Sequence, residues 1–258
     1  MVESNLVRCF PDASPEQIST WRREYYQFLI DSLFETIKSL SMRGEALDSR
    51  MRLLNESQAA EWITEGGGII FASHYGNFEW TSQRVDRFIQ KQGMKTAAVY
   101  ARLSPFFLEH TMIRLRGKWG AKMVKRHQAL RDSIRLIRQG YKIGFIIDQS
   151  PAVSAPAIHH PFLGVDTRWI AGSTKLAIKS GSPVLFAQVH RLGRGSYSLE
   201  FIRLDRPGVT EMPEAALLSN YISHLEESIR RAPAYWLWSH NRWKGMGQLQ
   251  SNGTKQNN

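Results

Sequence analysis

Apolar residues recur at helical spacing in the first long segment of the chain. Ser14, Pro15 and Gln17 have the pattern of a capping box with proline at the first helical position, which predicts that a helix begins here. The helix is predicted to run to about Leu40, with an apolar stripe formed by Tyr26, Ile30, Leu33, Ile37 and Leu40 and widened by Phe28, Leu29 and Phe34. Such a wide stripe is typical of a helix that faces the core, and contact with a membrane interface is the alternative.

Beyond this helix, short apolar runs alternate with helical segments. The pattern predicts strands over residues 69–72, 96–100, 141–147 and 184–190, and residues 197–204 complete a hairpin with the last of them. Helices are predicted over residues 77–92, 105–116, 128–139, 172–179 and 213–231, and a loop rich in proline and histidine is predicted after residue 147.

This order of elements predicts the fold class. Strands that alternate with helices, with one hairpin, indicate a single α/β domain whose mixed central β-sheet is flanked by helices and preceded by an N-terminal amphipathic helix. We assign residues 1–244 to this domain, and we expect the polar residues 245–258 to form a disordered tail.

Composition and charge narrow the class of partner. The chain has 258 residues, is 42% hydrophobic, and carries 34 Lys and Arg against 23 Asp and Glu, a net charge of +11. This composition excludes a collagen-like or wholly disordered chain. One cysteine, Cys9, excludes an intramolecular disulfide, and neither a signal peptide nor an apolar run long enough to span a bilayer is evident. The expected partners are acidic: nucleic acid, an anionic membrane face, a phosphorylated lipid or an acidic carrier protein.

The segment after the first predicted strand carries the strongest chemical signal. The strand delivers His74 to its carboxyl end, where α/β sheets bind ligands, and Asn77 can cap the next helix. Glu79, five residues after His74, can reach back to one imidazole nitrogen and stabilise the imidazolium, which leaves the other nitrogen free to accept a proton. The alternative is a structural histidine beside an acidic residue that merely favours the first helical turn.

Three other groups of residues are candidates. Asp148 and Gln149 lie where a strand ends, either as site residues or as a structural turn. A basic stretch is either a solvated face or a docking surface for an acidic carrier or lipid: Arg114, Arg116, Lys118, Lys122, Lys125 and Arg126. The tryptophans at positions 236, 238 and 243 suit either an interface belt or core packing. His159 and His160 have no acidic or cysteine partner at ligand spacing, so no metal site is predicted.

The ordered motifs of the chain resemble those of the bacterial lipid A biosynthesis (lauroyl/myristoyl) acyltransferases, a branch of the lysophospholipid acyltransferase superfamily. The first motif is the His-x4-Glu segment at residues 74–79. It is flanked, in the family's order, by an NL…FP opening at residues 5–11, a DQ pair at Asp148 and Gln149, an FFG-like motif at residues 162–164 and a WLWxHxRWK close at residues 236–244.

The resemblance implies an O-acyltransferase that needs no cofactor. It implies transfer of a fatty acyl chain from an acyl carrier protein thioester, or from acyl-CoA, to a hydroxyl of a lipid A precursor or related phosphorylated lipid. His74 is then the general base and Glu79 its orienting acid, while Asn77, Asp148 and Gln149 bind substrate. The family's Tyr-Arg-Pro corresponds to residues 100–103, so Arg102 becomes the expected phosphate contact.

The resemblance also implies a location. Such enzymes act at the cytoplasmic face of the inner membrane, and the apolar anchoring helix that usually precedes the NL…FP motif is missing from this sequence. We therefore expect either peripheral binding to an anionic membrane or anchoring by a segment outside this sequence.

Two alternatives remain. A glycerophospholipid or lysophospholipid acyltransferase has the same chemistry but usually carries Asp where Glu79 stands. A basic nucleic-acid-binding protein would explain the charge, yet the chain has no recognised nucleic-acid-binding motif and its basic residues are dispersed, so nucleic acid is not an expected partner.

Overall fold

A computed structural model of the chain describes residues 1–63, 66–102, 104–205 and 212–244. The tail predicted over residues 245–258, and Leu103 of the segment compared with Tyr-Arg-Pro, lie outside these described residues.

Helices and strands alternate along most of the chain. The helices are α1 (Val2–Cys9), α2 (Pro15–Ser39), α3 (Gly44–Arg50), α4 (Glu56–Ile63), α5 (Phe78–Lys91), α6 (Phe106–Arg116), α7 (Ala129–Arg138), α8 (Ala171–Ser180) and α9 (Glu214–Arg231). The strands are β1 (Met51–Leu53), β2 (Gly68–Ala72), β3 (Thr96–Tyr100), β4 (Lys122–Lys125), β5 (Lys142–Ile146), β6 (Ala157–Phe162), β7 (Val165–Ile170), β8 (Val184–Gly193) and β9 (Ser196–Arg203).

Seven of these strands form one mixed sheet in the order β1-β9-β8-β2-β5-β3-β4. Strand β2 lies at its centre and pairs in parallel with β5 and β8, whereas β8 and β9 form the antiparallel hairpin. A central parallel strand has both faces covered, which is why residues 68–71 of β2 are all buried. The predicted single α/β domain with a mixed, helix-flanked sheet is confirmed.

Each face of the sheet packs against its own set of helices, because successive side chains of a strand point to opposite faces. Ile69 and Phe71 of β2 join a cluster with residues of α7, α8 and α9. Ile70 joins a second cluster with residues of α5, among them Trp80 and Phe88. Helices α5 and α7 therefore lie on opposite faces of the sheet.

The start of α2 is as predicted, but its buried face is not. Ser14 and Gln17 form the capping box in both directions. The apolar stripe predicted for the core instead faces outward, with relative exposures of 56% at Ile30, 61% at Leu33 and 54% at Ile37. The residues that α2 buries lie on another face of the helix: Ile18, Tyr25, Phe28, Glu35 and Ser39. The core interpretation of the stripe is wrong because periodicity gives the width of an apolar face but not what covers it.

A hairpin, β6–β7, replaces the loop predicted after residue 147. It turns through Leu163 and Gly164, which both adopt positive φ, at 51° and 80°. Two such residues suit a tight hairpin. Pro161 lies within β6, and a proline in an apolar run argues against a strand in the sequence. Here the proline is tolerated because both strands of this separate two-stranded sheet are edge strands.

The aromatic residues of the C-terminal motif are core residues. Trp236, Trp238 and Trp243 are all buried, and Phe162 at the end of β6 packs between the rings of Trp236 and Trp243. The interface-belt interpretation of these tryptophans is therefore wrong. No helix among the described residues is both long enough and apolar enough to cross a bilayer.

Candidate active site

The turn that follows β2, residues 73–77, is held rigidly at the carboxyl edge of the sheet. Gly76 has φ of +65°, and a Cβ at this position would lie 2.8 Å from Val189 Cγ1, so the turn requires glycine both for its conformation and for space. Gly76 N donates to the carbonyl of Tyr235 at 2.8 Å. Asn77 then caps α5, because its Oδ1 accepts from the amide of Trp80 at 2.9 Å.

The side chain of His74 meets a buried carboxylate. Asp148, which follows β5, places Oδ1 2.7 Å from His74 Nδ1. Its Oδ2 accepts hydrogen bonds from the amide of His74 at 2.8 Å and from the indole of Trp236 at 2.9 Å. The side chain of Asp148 is 1% exposed and that of His74 is 13% exposed, so solvent reaches the imidazole but hardly reaches the acid.

These contacts favour the ionised form of Asp148. Burial alone would raise the pKa of Asp148, but the charge of His74 and the hydrogen bonds from His74 and Trp236 outweigh it and lower the pKa below the usual value. An ionised carboxylate can only accept, so Nδ1 of His74 carries a proton and donates it to Asp148. In the neutral ring Nε2 then has a free lone pair and is the nitrogen able to take a proton.

Gln149 faces this second nitrogen. Its Nε2 lies 3.2 Å from His74 Nε2, at the distance of a hydrogen bond in which the amide donates to the imidazole lone pair. Gln149 also lines the cavity beside His74. It therefore lies where a substrate-binding residue was predicted, and an incoming hydroxyl would compete with it for Nε2.

Glu79 does not orient His74, and this corrects the predicted contact. Both of its carboxylate oxygens accept from Arg116: Oε2 from Nε at 2.9 Å, and Oε1 from a terminal nitrogen. Asp148 makes the carboxylate contact to the imidazole that was predicted for Glu79, because β5 lies next to β2 and Asp148 is the second residue after β5. The hydrogen bonds to Glu79 raise the pKa of Arg116 despite burial, which acts in the opposite direction.

Two of the predicted substrate-binding residues have buried, fully engaged side chains. Asp148 is occupied by His74 and Trp236, and so it positions His74 instead of contacting substrate. Asn77 is 2% exposed, and its amide nitrogen donates to Glu35 Oε2 at 2.6 Å. Both predictions of direct substrate contact are corrected for the same reason, because the polar atoms of each side chain form hydrogen bonds within the protein.

Arg102, the expected phosphate contact, follows a strand that is not adjacent to the strand before His74. Strand β5 separates β2 from β3, so the two strands are not neighbours. Arg102 follows β3, its side chain is 77% exposed, and its Nε pairs with Glu109 Oε2 at 3.1 Å. It therefore faces solvent at the edge of the sheet where His74 also lies.

A cavity of about 560 Å³ opens beside His74. Its lining is largely apolar and comes from β2, β3, β5, α5, α7 and α8, with Val99, Ile146 and Leu176 as examples. His74, Glu79, Arg116 and Gln149 supply polar groups to the same space. An apolar chain with a polar reacting end fits this arrangement. In the part of the chain that the structure describes, no three His, Cys, Asp or Glu side chains gather as metal ligands.

The family model for bacterial lipid A biosynthesis acyltransferases matches residues 1–245, which is nearly the whole chain. The chain belongs to this family. A search of curated proteins found no match. Membership makes the chain an acyltransferase with lipid A acyltransferase activity in general, and a largely apolar cavity beside His74 is compatible with that activity.

The sequence did not identify Arg116 as a residue of this acyltransferase site. Arg116 was noted only within a basic stretch, but its side chain is 19% exposed, borders the cavity and holds Glu79. Arg116 lies in the last turn of α6, the helix that follows β3, and this position could have marked it as a candidate. Spacing alone, however, does not indicate which arginine of the basic stretch points inward.

The arrangement predicts that Asp148→Asn lowers kcat by about 10²–10⁴-fold while the acyltransferase still folds. An asparagine can keep the shape but cannot stabilise the imidazolium, and its amide can force the wrong tautomer on His74. Asp166→Asn, an exposed acid beside His159, is the matched control and should leave kcat unchanged. Steady-state kinetics with circular dichroism measures both, and near-normal kcat in folded Asp148→Asn would rule out this role.

Proposed function

We propose that this acyltransferase moves a fatty acyl chain from an acyl carrier protein thioester to a hydroxyl of a lipid A precursor or a related phosphorylated lipid. Acyl-CoA is the alternative donor. The observation that carries the proposal is the position of His74 between a buried carboxylate and an apolar cavity, within a chain of this family.

His74 is the general base in this proposal. Nε2 accepts the proton of the acceptor hydroxyl as the hydroxyl oxygen attacks the thioester carbonyl carbon, and Asp148 stabilises the imidazolium that forms. The tetrahedral intermediate then collapses, the carbon–sulfur bond breaks, and the imidazolium returns the proton to the departing thiolate. The ester forms without an acyl-enzyme, so no nucleophilic side chain is required.

Glu79 and Arg116 supply the second element of the proposed mechanism. Glu79 uses two of the guanidinium nitrogens of Arg116, and the third has no hydrogen bond to any described residue. Arg116 lines the cavity, and in our proposal this nitrogen donates to an anion there: the oxygen that becomes negative during transfer, or a phosphate of the acceptor. Glu79 is then a positioning residue that acts through Arg116 instead of through His74.

Membrane association is the third part of the proposal. We place the protein at the cytoplasmic face of the inner membrane, where a phosphorylated lipid acceptor lies in an anionic surface. The exposed apolar face of α2 supports this, because patches of this kind mark contact sites: Tyr26, Leu29, Ile30, Leu33, Phe34, Ile37 and Leu40. The net charge of +11 adds attraction to anionic lipid.

The base assignment predicts that His74→Ala removes most transfer activity, by about 10²–10⁴-fold in kcat, with the fold intact. His159→Ala changes a histidine that is 58% exposed and does not line the cavity, and it serves as the control. The measurement is acyl transfer to a lipid A precursor, followed by mass spectrometry. A folded His74→Ala protein with near-normal turnover would contradict the mechanism.

The acceptor assignment predicts that Arg102→Ala loses about tenfold or more in kcat/KM on a phosphorylated acceptor and nothing on its dephosphorylated analogue, since a charge-assisted hydrogen bond contributes about 1.5–3 kcal/mol. Arg116→Lys is tested in parallel, because its guanidinium borders the cavity and that of Arg102 is exposed. A phosphate-selective loss in Arg116→Lys alone would transfer the phosphate contact from Arg102 to Arg116.

The membrane proposal predicts that Leu33→Ser/Ile37→Ser weakens binding to vesicles that contain anionic phospholipid by about tenfold or more, since burying a large apolar side chain contributes about 1.5–3 kcal/mol. Leu54→Ser/Leu192→Ser removes two similarly exposed apolar residues elsewhere and should bind like the parent protein. Vesicle co-sedimentation at low and high salt measures this. Equal binding by both double variants would refute a role for α2.

A further inference from the structure

A second exposed surface lies at the β4 edge of the sheet and continues over α7, the helix that packs on the opposite face of the sheet from α5. We call it the α7 surface, and it consists of exposed residues of the edge strand β4, of the short turn that follows, and of one side of α7. Its members are Lys122, Lys125, Arg126, Leu130, Arg131, Ile134, Arg135 and Arg138.

The charge on the α7 surface is mostly unneutralised. Asp132 is the acid that pairs with it, 3.5 Å from Arg131 and 3.6 Å from Arg135. Lys122, Lys125, Arg126 and Arg138 have no ion pair with any described residue. Several positive charges with one acid among them create a field that attracts an acidic partner and accelerates its encounter.

Two apolar residues lie within this basic surface. Leu130 and Ile134 are 58% and 39% exposed, and they are four residues apart, so they are neighbours on the same side of the helix. Helix α7 buries other residues, Leu136 and Ile137, against the sheet. An apolar pair with a basic rim matches an acidic amphipathic helix, whose apolar residues cover the pair while its carboxylates meet the rim.

The α7 surface also borders the cavity that contains His74. Arg126 and Leu130 belong both to the surface and to the lining of the cavity, and Ala129 lies between them. A partner seated on the α7 surface is therefore next to an opening that leads to the general base. This continuity distinguishes the surface from a solvated basic face, which has no reason to meet the cavity.

From these three features we infer that the α7 surface is the docking site for the acidic protein that delivers the acyl thioester, with an acidic helix of that carrier lying along α7. The inference rests on the proposed function, since it assigns a place to the proposed donor. A bilayer is a less suitable partner for the α7 surface, because this surface exposes two large apolar residues whereas α2 exposes seven. The half of α2 that includes Phe28 and Glu35 packs on the α5 side of the sheet, whereas Ile18 and Tyr25 join the cluster on the other side.

The test compares two donors that differ only in the carrier. One is a fatty acyl thioester of acyl carrier protein, and the other is the same acyl group on pantetheine, which has no protein to dock. Lys125→Glu/Arg138→Glu reverses two unpaired charges of the α7 surface, neither of which lines the cavity. Arg43→Glu/Arg52→Glu reverses two exposed, unpaired charges away from α7 and is the matched control.

We expect Lys125→Glu/Arg138→Glu to lower kcat/KM for the carrier-bound donor by about tenfold or more at low salt, with the loss shrinking as salt rises, and to leave kcat/KM for the pantetheine donor unchanged. Ile134→Ser should weaken carrier binding with little dependence on salt. The control should match the parent protein on both donors. Fluorescence anisotropy with labelled acyl carrier protein provides a binding readout that does not depend on turnover.

The opposite outcomes are distinct. Equal losses on both donors, or unchanged carrier binding in Lys125→Glu/Arg138→Glu, would overturn the docking site. Weaker vesicle binding in that variant with unchanged carrier binding would assign the α7 surface to the membrane. Failure of the parent protein to use either thioester would instead refute the proposed function, whatever the variants do.

Discussion

The buried carboxylate of Asp148 is the interaction on which the site depends. A charged group that is 1% exposed is stable only when its hydrogen bonds are satisfied, and here the donors come from three directions: the amide of His74, its imidazole, and the indole of Trp236. The turn after the central strand, the segment after β5 and the C-terminal segment therefore meet at one residue. Loss of one partner from such a buried pair typically costs about 3–5 kcal/mol, which links the geometry of the base to the stability of the fold.

The residues that carry the family resemblance surround this carboxylate. Asn5 donates to the carbonyls of Trp238 and His240, at 2.9 and 3.1 Å, and so fixes the segment that contains Trp236. Phe162, the last residue of β6, packs against the ring of Trp236. The NL…FP, FFG-like and WLWxHxRWK motifs, although far apart in the chain, therefore all help to hold Trp236 and Asp148 in place behind His74.

The other side of the turn is supported by α2. Glu35 accepts from Asn77 at 2.6 Å and from Tyr197 at 2.8 Å, and its carbonyl accepts from the indole of Trp80 at 2.9 Å. The helix with the exposed apolar face is thus bonded directly to the residue that caps α5 beside the base. The α7 surface, with its positive charge, is formed by other elements, β4 and α7. The proposed membrane contact and the proposed carrier contact therefore use different elements of the fold.

The sequence alone was sufficient for the properties that depend on local pattern. Period and turn residues predicted most strands and helices, the capping box at Ser14 and the delivery of His74 to a strand end, because these are set by neighbours along the chain. The tertiary structure decided which residues those side chains meet. Because β5 lies beside β2, Asp148 contacts His74, and Glu79 pairs with Arg116 instead. This strand order is fixed by contacts between segments that are distant in the sequence. Burial was also a tertiary outcome: the stripe of α2 faces outward and the tryptophans of the C-terminal motif face inward, although both are apolar, because only packing determines which apolar surface is covered.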